Sequence, residues 1–328
     1  MRWRSRSYYN RRLLGVCVLP ILCLILFSPT PSIAQIEPDD LTGVKVAVYS
    51  GVGVMGSSRT ALTRLFEWMN ATVSSVTASE IIDDALDDYD ILVIPGGSES
   101  TCNSELDDEG RLKITQFVSN GGSYFGICGG STFAVRYLHL FNGFMGPVSE
   151  PGDLIHITTM NINRTSNGPD LSDLPENCSV MYYASQRFTA NPYVLTSIHT
   201  IATYEYDGSA GMIAFKYGNG TVFLSSPHPE YEENGDRDDT TFGDDLDDPD
   251  SEWNLLFRVS KWLIEASYVE SPITATTSTT TTTTTTFTTT SNTTTTTNAF
   301  DLPLIAIAST GIVIVALAVV VFYRRVHE

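Results

Sequence analysis

Basic residues are scarce in this chain. It carries 19 Lys and Arg against 38 Asp and Glu in 328 residues, a formal net charge of −19. That deficit excludes a nucleic-acid partner, because phosphate contacts need clustered Lys and Arg. It also excludes a peripheral protein held on anionic lipid. The cations present are placed for neither role: Arg2, Arg4, Arg6, Arg11 and Arg12 crowd the start, and Arg324 and Arg325 sit at the far end. Cysteine and histidine are equally sparse, five of each. Apolar residues are not lacking: 42% hydrophobic and 10% aromatic content excludes a wholly disordered chain.

The two ends carry topology signals. A basic region to Arg12 precedes an apolar run at 13–27, then SPTPSIAQ places Ser32 and Ala34 as in a cleavage site before Gln35. The run is too short to span a bilayer and reads as an export signal, residues 1–34. Residues 302–323 contain no charge and are followed at once by Arg324 and Arg325. That is the pattern of a membrane-spanning helix with a cytoplasmic tail at 324–328. Residues 271–300 read as a Thr-rich stalk, since 19 of the 24 residues from Thr274 to Thr297 are Thr and have almost nothing to bury. Five N-x-Ser/Thr sequons start at Asn70, Asn163, Asn177, Asn219 and Asn292. The expected arrangement is a single-pass type I protein of the cell membrane with a glycosylated extracellular domain at 42–268.

Within that domain the hydrophobic pattern alternates. Residues 44–50 (VKVAVYS) read as a buried strand, broken by Gly51-Val52-Gly53. Leu62, Leu65, Phe66 and Met69 then fall at helical spacing. Strand 72–77, a short acidic helix 78–89, strand 90–94 (DILVI), helix 108–118 and strand 123–127 (SYFGI) follow. Such alternation predicts an α/β fold with a parallel sheet and helices on both faces, with ligands at the carboxyl ends of the strands. After Gly143 the pattern changes to short strands, with a hairpin around KYGNG and a closing helix through Trp253, Leu256, Phe257, Leu263 and Ile264.

Three segments carry chemistry. In Gly126-Ile127-Cys128-Gly129-Gly130 a buried strand runs straight into a cysteine, and small residues lead into a helix. That is the layout of a nucleophile elbow, and a helix N-terminus favours the thiolate. A buried structural cysteine beside a glycine turn fits the local sequence equally well. In Ser226-Pro227-His228-Pro229-Glu230, a histidine at a strand end can serve as base to the thiol, and Glu230 can orient its ring. Pro95-Gly96-Gly97 ends the DILVI strand, and the backbone N–H groups of Gly97 and Gly129 can form an oxyanion hole. The domain keeps three cysteines, an odd number; pairing Cys102 with Cys178 leaves Cys128 free. From Glu232 to Glu252, eleven of 21 residues are acidic. Their spacing does not match a calcium-binding loop, so no metal is expected, and the stretch reads as a solvated insertion placed to cover the site.

VYSGVGV, DILVIPGG, NGGSYFGICGG and SSPHPE, in that order, resemble the class I glutamine amidotransferase-like superfamily, and within it the N-terminal domain of eukaryotic biotin–protein ligases. The resemblance spans about residues 43–265 and implies a flavodoxin-like sheet and a Cys128–His228–Glu230 triad that cleaves an amide through a thioester, without a cofactor. It departs in one position that matters: Thr132 stands where amidotransferases carry the glutamine that shapes the substrate pocket alongside Gly96. Neither a synthetase domain nor a biotin-ligase catalytic domain accompanies it, so glutaminase activity and biotin ligation are not expected. Two functions remain: a thiol hydrolase acting on a small-molecule or peptide amide, and a non-catalytic module for ligand binding or surface interaction.

Overall fold

In β1 (Lys45–Tyr49) the side chains alternate between two cores: Val46 and Val48 enter one, Ala47 and Tyr49 the other, all fully buried. A strand apolar on both faces needs a layer on each side, and the helices supply them. The computed structural model describes residues 40–148, 150–193, 197–232 and 236–267. The expected signal at 1–34, stalk at 271–300, membrane helix at 302–323, tail at 324–328 and sequon at Asn292 lie outside them. Among the described residues no helix is long and apolar enough to cross a membrane.

From β1 the chain runs through α1 (Gly56–Trp68), β2 (Thr72–Val76), α2 (Ala78–Ile82), β3 (Ile91–Ile94), α3 (Glu99–Ser119), β4 (Ser123–Ile127) and α4 (Gly129–Arg136). Next come β5 (Gly143–Pro147), β6 (Ile155–Ile162), β7 (Asn177–Tyr183), β8 (Gln186–Ala190), β9 (Ile198–Tyr204), β10 (Ala210–Tyr217) and β11 (Gly220–Ser225), and α5 (Trp253–Ser267) closes the domain. The sheet order is β2-β1-β3-β4-β11-β10-β9-β6-β7. Its first five strands are parallel, the doubly wound order with β11 as the fifth strand. α1 and α5 cover one face through Leu62, Phe66, Leu256 and Leu263. α3 and α4 cover the other through Leu106, Ile114, Val118 and Phe133. The parallel sheet with helices on both faces is therefore present, but β10, β9, β6 and β7 extend it antiparallel, and β5 and β8 form a side ladder.

Two helices differ from the sequence expectation for local reasons. The acidic helix breaks after α2, where Asp84 adopts a left-handed φ of 66°, and a 3-10 turn at Ala85–Asp88 replaces its second half. The next helix starts nine residues early, at Glu99, capped by Ser98. It is interrupted at Asp107, with φ 50°, whose side chain accepts the Glu109 N–H at 2.7 Å and so recaps the second half. The regular pattern beginning at Asp108 is that second half.

The expected Cys102–Cys178 disulfide is absent. All three described cysteines are free. Cys102 packs in the α3 core and Cys178 in the α1/α5 core, so the sheet separates the two thiols.

Candidate active site

β4 delivers Cys128 to the carboxyl end of the sheet and α4 departs from it immediately. The turn leaves Cys128 at φ 48° and ψ −108°, a backbone conformation that a non-glycine residue rarely holds. Gly129 is required by the neighbouring chain: a Cβ there would lie 2.1 Å from the Gly97 carbonyl oxygen. The tight packing of these two glycines presses the PGG loop against the elbow. Gly97 pairs with Val54 through the hydrogen bonds Met55 N–H to Gly96 O and Ser98 N–H to Gly53 O, which leave its own N–H outside the ladder. Gly129 N–H is directed at the Cys128 thiol.

β11 carries His228 to the same edge. Its backbone N–H donates to the Met181 carbonyl of β7, so the antiparallel extension clamps the turn that holds it. His228 Nδ1 and Glu230 Oε1 are 2.9 Å apart, and both side chains are wholly buried. Nε2 makes no direct hydrogen bond. Gly96 lies directly behind: a Cβ on it would fall 2.7 Å from His228 Cε1 and 3.5 Å from Cys128 Cβ. Burial pushes the Cys128 thiol up and the nearby Glu230 charge adds to that, but the adjacent His228 and the Gly129 N–H outweigh both, and the pKa is lowered. For His228 burial works against the charged form, while Glu230 and Cys128 favour it more strongly, and its pKa is raised well above the usual value. The two shifts are coupled and belong to the Cys128–His228 pair together. Cys102 goes the other way, with burial pushing it up to about 11, and burial raises Cys178 further.

A cleft of about 440 Å³ opens over the thiol, lined by Cys128, Gly97, Gly129, Thr132, Tyr183 and Gln186. Of the sequence-predicted positions, Cys128, His228, Glu230, Gly97 and Gly129 come together here. Gly96 does not line the cleft; it packs behind Cys128 and His228, its N–H donating to the Ser58 hydroxyl and its carbonyl accepting the Met55 N–H. Thr132 borders the cleft, but its hydroxyl turns back to the Cys128 carbonyl at 3.2 Å. The acidic stretch is docked rather than loosely solvated. Arg237 stacks over Trp253 at 4.6 Å and binds Glu232, and Phe242 packs against Tyr183 and Tyr231 beside His228. Among the described residues no cluster of metal-ligating side chains occurs.

Three contributors were not legible in the sequence. Tyr231 stacks on the His228 ring with centroids 5.5 Å apart. Trp253 Nε1 donates to the Glu230 carbonyl at 3.0 Å. Ser58 binds the Glu230 carboxylate. Only the adjacency of Tyr231 to the His-Pro-Glu turn offered a signal.

Residues 44–144 match the family model described as the N-terminal part of biotin–protein ligase. The biotin–protein ligase of Schizosaccharomyces pombe is 25% identical over 220 residues, covering 58% of this chain and 34% of that protein. An uncharacterized protein of Chlamydia muridarum is 29% identical over 161 residues, covering 43% of this chain and 60% of its own. The chain thus spans about a third of the ligase's length. Among solved structures, a glutamine amidotransferase from Thermotoga maritima matches with a TM-score of 0.44 and 14% identity, covering 68% of this chain and 90% of its own. PurLQS from the same organism matches with a TM-score of 0.45 and 18% identity, covering 61% of this chain and 95% of the matched one. The chain has a mixed α/β domain with a parallel sheet at its centre. Residues 44–144 are similar to the N-terminal part of biotin–protein ligase, as the motifs led one to expect.

Proposed function

We propose that the domain is a thiol-dependent amide hydrolase. The observation that carries this reading is the buried Cys128–His228–Glu230 constellation, in which the thiol is depressed and the imidazole elevated while the other two thiols are pushed up. The Cys128 thiolate adds to an amide carbonyl. The developing oxyanion takes N–H bonds from Gly97 and Gly129, and the His228 imidazolium gives its proton to the departing amine. The resulting thioester is attacked by water, which loses a proton to neutral His228, and the thiolate is regenerated. Glu230 holds the ring so that Nε2 faces the sulfur. The substrate is a small-molecule or peptide amide other than glutamine, because the Thr132 hydroxyl commits its one proton to the Cys128 carbonyl and the shorter side chain does not reach as a glutamine would.

The same proposal places the domain outside the cell, on a stalk and a single membrane-spanning helix. The uncharged run at 302–323 with Arg324 and Arg325, and the basic start before residues 13–27, support that topology.

One observation favours the second function, a binding module: Thr132 leaves the glutamine-shaping position unfilled. Incubation with p-nitrophenyl acetate separates the two. A hydrolase gives a burst of nitrophenolate with acetyl carried on Cys128 in the peptide map, and none in Cys128→Ala. A binding module gives no Cys128-dependent burst.

A further inference from the structure

Ser58 sits in the first turn of α1, fully buried, at a point where the two halves of the site meet. Its hydroxyl donates to Glu230 Oε1 at 2.7 Å and accepts the Gly96 N–H at 3.0 Å. The oxygen it reaches on Glu230 is the same one that faces His228 Nδ1 at 2.9 Å. A hydroxyl has one proton to give, and the geometry commits it to the carboxylate, since the Gly96 N–H can only be a donor. The chain of contacts therefore runs from the PGG loop through Ser58 and Glu230 to His228, joining the backbone beside the oxyanion donors to the group that handles the proton. Gly96 is also the residue whose missing side chain lets His228 approach Cys128.

We propose that Ser58 is a positioning residue of this site: its hydroxyl fixes the Glu230 carboxylate and the Gly96 backbone in one register, and so holds the His228 ring against the Cys128 thiol. This rests on the reading of the triad as functional. Glu230 Oε2 has no hydrogen-bond partner among the described residues, so the rotamer of the carboxylate depends on what Oε1 binds. Without Ser58 the carboxylate keeps one of its two side-chain anchors. The buried Gly96 N–H then loses its acceptor, which costs desolvation without return. Both losses loosen the imidazolium that stabilises the thiolate.

The test needs no substrate. Iodoacetamide alkylation of Cys128 is followed across pH in wild type, Ser58→Ala, Ser58→Thr, and Thr60→Ala. Thr60, on the same helix, spends its hydroxyl on the Gly56 carbonyl alone. The expected result is an apparent thiol pKa raised by about 0.5–1 unit in Ser58→Ala, so that its rate falls roughly three- to tenfold on the acid side of the profile and converges with wild type at high pH. Ser58→Thr, which keeps the hydroxyl, recovers most of the rate, and Thr60→Ala matches wild type. Cys102 and Cys178 staying unalkylated in Ser58→Ala shows that the core is intact. A Ser58→Ala profile that overlays a fast wild type, whatever its melting temperature, overturns the role of Ser58 alone. A wild-type Cys128 no faster than a free thiol overturns the triad reading and this one together.

Discussion

His228 Nδ1 lies 2.9 Å from Glu230 Oε1, and neither side chain reaches solvent. A buried carboxyl group two residues along the chain holds an imidazole that stands beside Cys128 across the Gly96 backbone. Because the His228 pKa is raised, the carboxylate's contribution to stability is fully present below the unfolded imidazole value and is lost as pH rises through the folded one. Glu230→Gln should therefore lower the melting temperature most in mildly acidic buffer, with the difference shrinking as pH increases. A pH-independent difference would mean that Glu230 supports the fold without charging His228.

Glutamine should be a poor substrate. With its hydroxyl proton given to the Cys128 carbonyl, Thr132 offers no donor to an incoming amide side chain. Sites built on hydrogen bonds discriminate strongly when a partner is missing. Ammonia release from L-glutamine should fall well short of about 1 per second, an ordinary enzyme rate. Thr132→Gln should raise it if the remaining site is intact. Turnover at that rate in wild type would restore glutamine as substrate.

The elbow's glycines should be intolerant of the smallest side chain. A Cβ at Gly129 meets backbone at 2.1 Å, which cannot step aside as a side chain can, whereas one at Gly56 meets nothing within 4 Å. Gly129→Ala should cost about 2–4 kcal/mol, lowering the melting temperature by roughly 5–15 °C. Gly56→Ala should leave it unchanged or slightly higher. Equal melting curves for the two variants would contradict the close approach of the elbow to the PGG loop.

If the domain is exported, the fold predicts which sequons carry glycan. Asn177 and Asn219 are exposed, whereas Asn70, also exposed, donates its side-chain nitrogen to Asp40 Oδ2 at 2.7 Å. Asn163 is half-buried, and its side-chain nitrogen donates to the Thr200 carbonyl at 3.0 Å, a bond that a glycan would break. Endoglycosidase treatment of protein from secreting cells should shift mobility in wild type and in Asn163→Gln alike. Asn177→Gln and Asn219→Gln should each remove one increment. An unglycosylated protein would sink the extracellular assignment.

Much of this was legible in the chain. Residues buried on both faces wrote the parallel strands plainly, as in KVAVY and SYFGI. Cys128 and His228 stood out because each ends such a strand. The antiparallel extension was not legible in detail: β6, β7 and β9 are half-buried, mixed strands whose pairing is set by contacts distant in sequence. The Cys102–Cys178 pairing failed because parity says nothing about which side of a sheet a thiol occupies. Ser58 was invisible for a similar reason: its partner on Glu230 lies 172 positions away, and a serine early in a helix looks like any other.

The central claim is that His228 makes Cys128 a nucleophile, and the alkylation rate of Cys128 as a function of pH, in wild type and His228→Ala, tests it most directly. The lowered pKa means that the thiolate persists to lower pH than in a free thiol and is lost as pH falls through that lowered value. The account predicts a wild-type midpoint below about 8.5, the free-thiol value, and a His228→Ala midpoint at or above it. Coincident midpoints at or above the free-thiol value would contradict it.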